Sequence, residues 1–97
     1  MAVIVVLELH FKPESVSAAR EVMGRALKDT RAFAGNLQTD VLVDEENDAH
    51  WLIYEIWDTV EHDEAYRSFR AGDGRITDLP PLLAEPPVKK RYLTSDV

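Results

Sequence analysis

The chain has 97 residues, 45% of them hydrophobic and 30% charged, which is room for one domain over residues 1–97 and too apolar for a disordered segment. Its 11 Lys and Arg against 18 Asp and Glu give a net charge of −7, which repels phosphate and argues against a nucleic-acid partner. The absence of cysteine excludes disulfides, thiolate metal sites, iron–sulfur clusters and a cysteine nucleophile.

The longest apolar run, Ala2 to Leu7, falls well short of the roughly 18 residues of a membrane span. It has no basic leader before it, so it reads as a strand and not as a signal segment, and a cytoplasmic location is expected. Val3 to Phe11 alternates: Val3, Val5, Leu7, Leu9 and Phe11 share one apolar face, and Ile4, Val6, Glu8 and His10 share a mixed one. Pro13 and Glu14 open a helix whose stripe is Val16, Ala19, Val22, Met23, Ala26, Leu27 and Thr30. It should end near Ala32, with Gly35 marking the break.

Leu37 to Val43 is a second alternating strand, Asp44 to Asp48 a polar turn, and His50 to Trp57 a third strand paired with the second as a hairpin. Asp58 or Thr59 caps a second helix with Val60, Ala65, Tyr66 and Phe69 inward, ending at Gly72-Asp73-Gly74. Ile76 to Ala84 reads as a short further helix interrupted by Pro80-Pro81, and Val88 to Leu93 as the last strand. The order β-α-β-β-α-β predicts an α+β, ferredoxin-like fold, one antiparallel sheet with both helices on one side. The other sheet face carries Ile4, Val6 and large side chains of the third strand, and a twin subunit is the economical cover.

The segment from Gly35 to Trp57, GNLQTDVLVDEENDAHWLIYEIW, resembles the antibiotic biosynthesis monooxygenase domain family. In that family a Gly-led strand ends in Asp and a hairpin returns as an aromatic strand reading roughly Tyr-Glu-x-Trp. The marks here are Gly35, Leu37, Val41, Asp44, Tyr54, Glu55 and Trp57, and the Pro-Glu helix start and the closing LLAEPPVKKRY of residues 82–92 are similar too. Members commonly carry Tyr where this chain has Thr39, and many carry His where it has Tyr66. The resemblance implies a homodimeric α+β barrel with a pocket in each subunit. It implies oxidation of an electron-rich aromatic, such as a hydroquinone or anthrone, by O2 as co-substrate with no bound cofactor. Haem-degrading relatives carry His in the region of Asp73 to Thr77, where this chain has none, so haem is not expected. Fold alone does not choose among such chemistries.

Within that frame the candidate catalytic residues are His10, Glu55 and Trp57. Histidine is the side chain that changes charge near neutral pH, so His10 is the natural general-base candidate. Glu55 shares a face with Trp51, Ile53 and Trp57, where burial would raise its pKa, unless Lys or Arg among residues 89–91 pairs with it. Trp57, at a strand-to-helix corner, offers a stacking wall and an N–H donor, or packs as core. Candidate substrate contacts are Asn36, Tyr54, Tyr66 and Arg91. Asn36 alternatively serves a turn needing positive φ, Tyr66 packs, and Arg91 is solvated or ion-paired. His50 and His62 read as solvated, the three histidines show no tight ligand spacing, and no metal is expected. The rival readings are a dimer that binds a small hydrophobic ligand without turnover, and an isomerase or degrader of a small carbonyl metabolite.

Overall fold

The computed structural model describes residues 2–97. Six elements carry the fold: β1 (Val3–His10), α1 (Val16–Ala32), β2 (Asn36–Asp44), β3 (Asn47–Trp57), α2 (Val60–Ala71) and β4 (Val88–Leu93). The strands form one sheet in the order β2-β3-β1-β4, every neighbouring pair antiparallel. Period-2 alternation decides which side chains go inward. Val3, Val5 and Leu9 of β1 and Trp51, Ile53, Glu55 and Trp57 of β3 are all buried on the helix side. The fold is the expected ferredoxin-like α+β arrangement, and among the described residues no helix is long and apolar enough to cross a membrane.

α1 buries the stripe Ala19, Val22, Met23, Ala26, Leu27 and Thr30, as its spacing predicts. Pro13–Ser15 form a separate 3-10 turn before it, because a proline ring fixes the chain entry without supplying a donor. The apolar side chains gather in two clusters. Leu9, Phe11, Ala49, Trp51 and Ile53 pack under α1 with Ala19, Met23 and Leu27. Val3, Val5 and Trp57 pack with Tyr66 of α2.

Three local expectations are corrected. The β2–β3 turn is shorter than Asp44 to Asp48, and β3 begins at Asn47. Asp44 Oδ1 accepts from the Glu46 N–H at 2.8 Å and Asn47 Oδ1 from the Ala49 N–H at 3.1 Å, so short polar side chains hold the bend at both flanks. In α2, Ala65 is exposed, and the inward position is taken by Asp63. Residues 76–84 form no continuous helix, only the 3-10 turn Pro80–Leu82, since two successive prolines remove two donors.

Gly35 closes the passage from α1 to β2 at φ +87°, a left-handed conformation that side chains disfavour. The His62 ring packs where a Cβ would stand. Asn36 has no positive φ; its side-chain amide donates to Thr39 Oγ1 at 2.8 Å.

Candidate functional site

A cavity of about 930 Å³ lies between the helix side of the sheet, the two helices and the segment 75–87. Its walls are mostly apolar: Leu7 and Ile53 from the sheet, Met23 and Leu27 from α1, Ile76, Leu79 and Leu83 from the segment. Into these walls project Glu55, Tyr66, Arg67, Arg70 and Arg75. A large apolar enclosure with a few convergent polar groups is the form of a small-molecule site.

The polar groups are organised by burial. Glu55 is 2% exposed, which is costly for a carboxylate unless it is paired. Its Oε1 accepts from Trp57 Nε1 at 3.0 Å and pairs with the Arg67 guanidinium. Both contacts fall on Oε1, which leaves Oε2 for a ligand donor. Arg67 also bonds Asp63 Oδ1 at 2.9 Å, one helical turn back. Asp63 is fully buried, and its other oxygen takes Arg91 at 3.1 Å and Lys89 at 3.3 Å. Burial pushes the Asp63 pKa up, but Arg67, Arg91 and Lys89 outweigh it and hold the carboxyl below its ordinary value.

A second group fastens the two helices. The Tyr66 hydroxyl meets Thr30 Oγ1 at 2.6 Å and accepts from Arg70 Nε at 2.7 Å. Arg70 further donates to the carbonyls of Ala26 at 2.8 Å and Gly74 at 3.0 Å. Its guanidinium therefore ties α1, α2 and the start of the 75–87 wall together. The Tyr66 ring forms cavity wall, and its hydroxyl is already engaged.

A family model described as antibiotic biosynthesis monooxygenase matches residues 2–73. The chain belongs to that family. Solved structures agree on the fold. One named for the same family, from Deinococcus radiodurans, is 22% identical over 98% of this chain and 94% of its own, at a TM-score of 0.84. Another from Nitrosomonas europaea is 16% identical over 95% and 97%, at 0.84. A third from Caulobacter crescentus is 14% identical over 98% and 91%, at 0.86. No curated protein matches the chain.

The antibiotic biosynthesis monooxygenase fold separates the candidate residues between the two faces of the sheet. Glu55 and Tyr66 line the cavity together. Trp57 shares their side but is fully buried in the core, in contact with Tyr66 and Phe33, and its indole N–H donates to Glu55. Arg91 is engaged by Asp63, the ion-paired alternative, and neither it nor Asn36 lines the cavity. Tyr54 and His10 belong to the opposite face, because their positions in β3 and β1 are out of phase with the buried ones. Arg67, Arg70 and Asp63 escaped the sequence reading. The signal was present in the i, i+4 spacing of Asp63 and Arg67, but it looks like any exposed helix pair.

On that opposite face a second polar cluster forms at the end of β1. His50 lies between two carboxylates, with Nδ1 at 2.9 Å from Asp44 Oδ2 and Nε2 at 2.8 Å from Glu8 Oε2. These bonds, Asp44 first, raise the His50 pKa, and bonding to His50 lowers those of Glu8 and Asp44. His50 is thus a bonded, half-buried group and not the solvated one expected from sequence. His10 stacks on it at 4.4 Å between ring centroids, with its Nε2 at 3.3 Å from Glu85 Oε1.

Proposed function

We propose that this protein is a cofactor-independent monooxygenase that oxidises an electron-rich aromatic with O2 in the cavity beside Glu55. Family membership supports the reaction class. The observation that carries the assignment to this cavity is a buried carboxylate with Arg67 against it, set in apolar walls. An aromatic ring with an acidic O–H or C–H fits that chemistry. Glu55 Oε2 takes the proton, Arg67 and Arg75 stabilise the resulting anion, and the water-poor walls strengthen both interactions. The substrate anion then reduces O2. At a ring CH2 one oxygen atom enters as a carbonyl and the other leaves as water with the two hydrogens. Trp57 and Tyr66 act as supports: one holds Glu55, the other holds the wall.

The active form in this reading is a homodimer. The open sheet face presents Ile4, Val6, Leu52, Tyr54 and Ile56, with Leu42 48% and Tyr92 51% exposed beside them. The register places Ile4 between Ile56 and Tyr92 and pairs Val6 with Tyr54 and Leu42 with Leu52, so the patch is continuous.

One observation favours the rival reading of a ligand-binding dimer. Glu55, the candidate base, is already occupied by the Arg67 guanidinium and the Trp57 N–H. Oxygen uptake by purified protein against a panel of hydroquinones and anthrones separates the two. The oxygenase reading expects uptake that scales with protein and falls by about 10²–10⁴-fold in Glu55→Gln, the size of a general-base contribution. Saturable binding of the same compounds with no uptake above autoxidation supports the binding reading instead.

A further inference from the structure

We propose that Glu8, His10 and His50 form a binding site for a divalent transition ion of the zinc class, on the sheet face opposite the cavity. The three are far apart in sequence, and antiparallel pairing assembles them. His10 stands directly across from His50, and Glu8 lies two residues back on the same strand and the same face. One ligand atom from each, two imidazole nitrogens and a carboxylate oxygen, lie within 4.8 Å of one another.

Two imidazoles and a carboxylate suit zinc, cobalt or nickel better than the hard ions magnesium and calcium. Ligand atoms at about 2.0–2.1 Å from one tetrahedral ion are roughly 3.3 Å apart. Glu8 Oε2 lies 2.8 Å from His50 Nε2 and 3.7 Å from His10 Nε2, values on either side of that separation. The near-parallel rings, 7° apart, hold both imidazoles at one edge of the cluster.

A separate feature points the same way. Asp44 Oδ2 accepts from His50 Nδ1 at 2.9 Å. A carboxylate on the far nitrogen holds the ring so that an ion displacing the proton between Nε2 and Glu8 meets the Nε2 lone pair. Three protein ligands leave a fourth position for water. The nearest further carboxylate is Glu85, against His10. The site faces away from the cavity, at the β1 end of the sheet face given above to the second copy, and its test reads binding alone.

The test is titration of the chelator-treated protein with Zn2+ by calorimetry and with Co2+ by visible absorption. The expected result is one ion per chain, with the intense visible bands of four-coordinate cobalt. His10→Ala and His50→Gln should each abolish saturation. Asp44→Asn, which removes only the orienting carboxylate, should weaken binding by about 10–100-fold and keep the bands. Circular dichroism confirms that each variant is folded. Co2+-shifted ring protons of His10 and His50 in the unaltered chain give a readout independent of any substitution. Absence of saturable binding, of those shifts, or equal affinity in a His10→Ala/His50→Gln double variant overturns the proposal.

Discussion

Asp63 is the residue whose environment departs furthest from expectation. It sits on the inward face of a helix, fully buried, with charged partners from its own helix and from β4. Removing one partner of a buried ion network is more costly than the network is worth, because the remaining charges stay desolvated. Asp63→Asn should lose about 3 kcal/mol at neutral pH, the low end for such a change, since Lys89 and Arg91 reach solvent. The effect depends on acid in a defined sense. The folded pKa of Asp63 is depressed below its ordinary 3.8, so its contribution is complete above the unfolded pKa and is lost as pH falls through the folded one. Thermal melts from pH 7 downward should therefore show native and variant converging below about pH 4. A constant gap across that range contradicts the assignment. At this scale the sequence was least legible. Asp63 and Arg67 look like any solvated helix pair, and only β4, two strands away from β3, reveals that they are inside.

The elements were far more legible, because strands and helices impose periods on apolar residues. Ala49 to Trp57 alternates strictly, Val3 to Leu9 does so except at half-buried Leu7, and Ala19 to Thr30 shows helical spacing. Where those periods fail, so does the reading. Residues 72–87 carry glycine and paired prolines, and their path is set by long-range bonds such as Ala84 N–H to the His10 carbonyl at 2.7 Å. The Glu8–His10–His50 cluster was hidden for a related reason: its spacing exists across a strand register and not along the chain. Gly35 is the element-scale position most sensitive to change. Gly35→Ala should cost at least about 1–2 kcal/mol from the left-handed backbone alone. It also displaces the His62 ring, whose Nδ1 meets the capping Thr59 Oγ1 at 2.8 Å. Denaturant midpoints for Gly35→Ala and Thr59→Ala measure this. The cap variant should lose about 1 kcal/mol, and the glycine variant more.

At the level of the whole molecule the sheet is asymmetric: one face is roofed by helices, the other is apolar and open. If a second copy covers it, Ile56→Glu should place a charge in the centre of the patch between the sheets. Sedimentation should then give a folded monomer where the native chain gives a dimer. A native chain sedimenting as a monomer at micromolar concentration contradicts the homodimer. The closed side has its own asymmetry. The wall of residues 75–87 is stitched to the end of β1 through Lys12 N–H to the Leu82 carbonyl at 2.9 Å and the bridge of Phe11 with Leu83. Its far side is held by the Arg25–Asp78 pair, both partners mostly in solvent, the kind of contact that contributes about 0–1 kcal/mol. The chamber thus has a fixed jamb and a loose one. The flank held by Arg25 and Asp78 is the one that costs least to part, while the flank bonded to the end of β1 costs more.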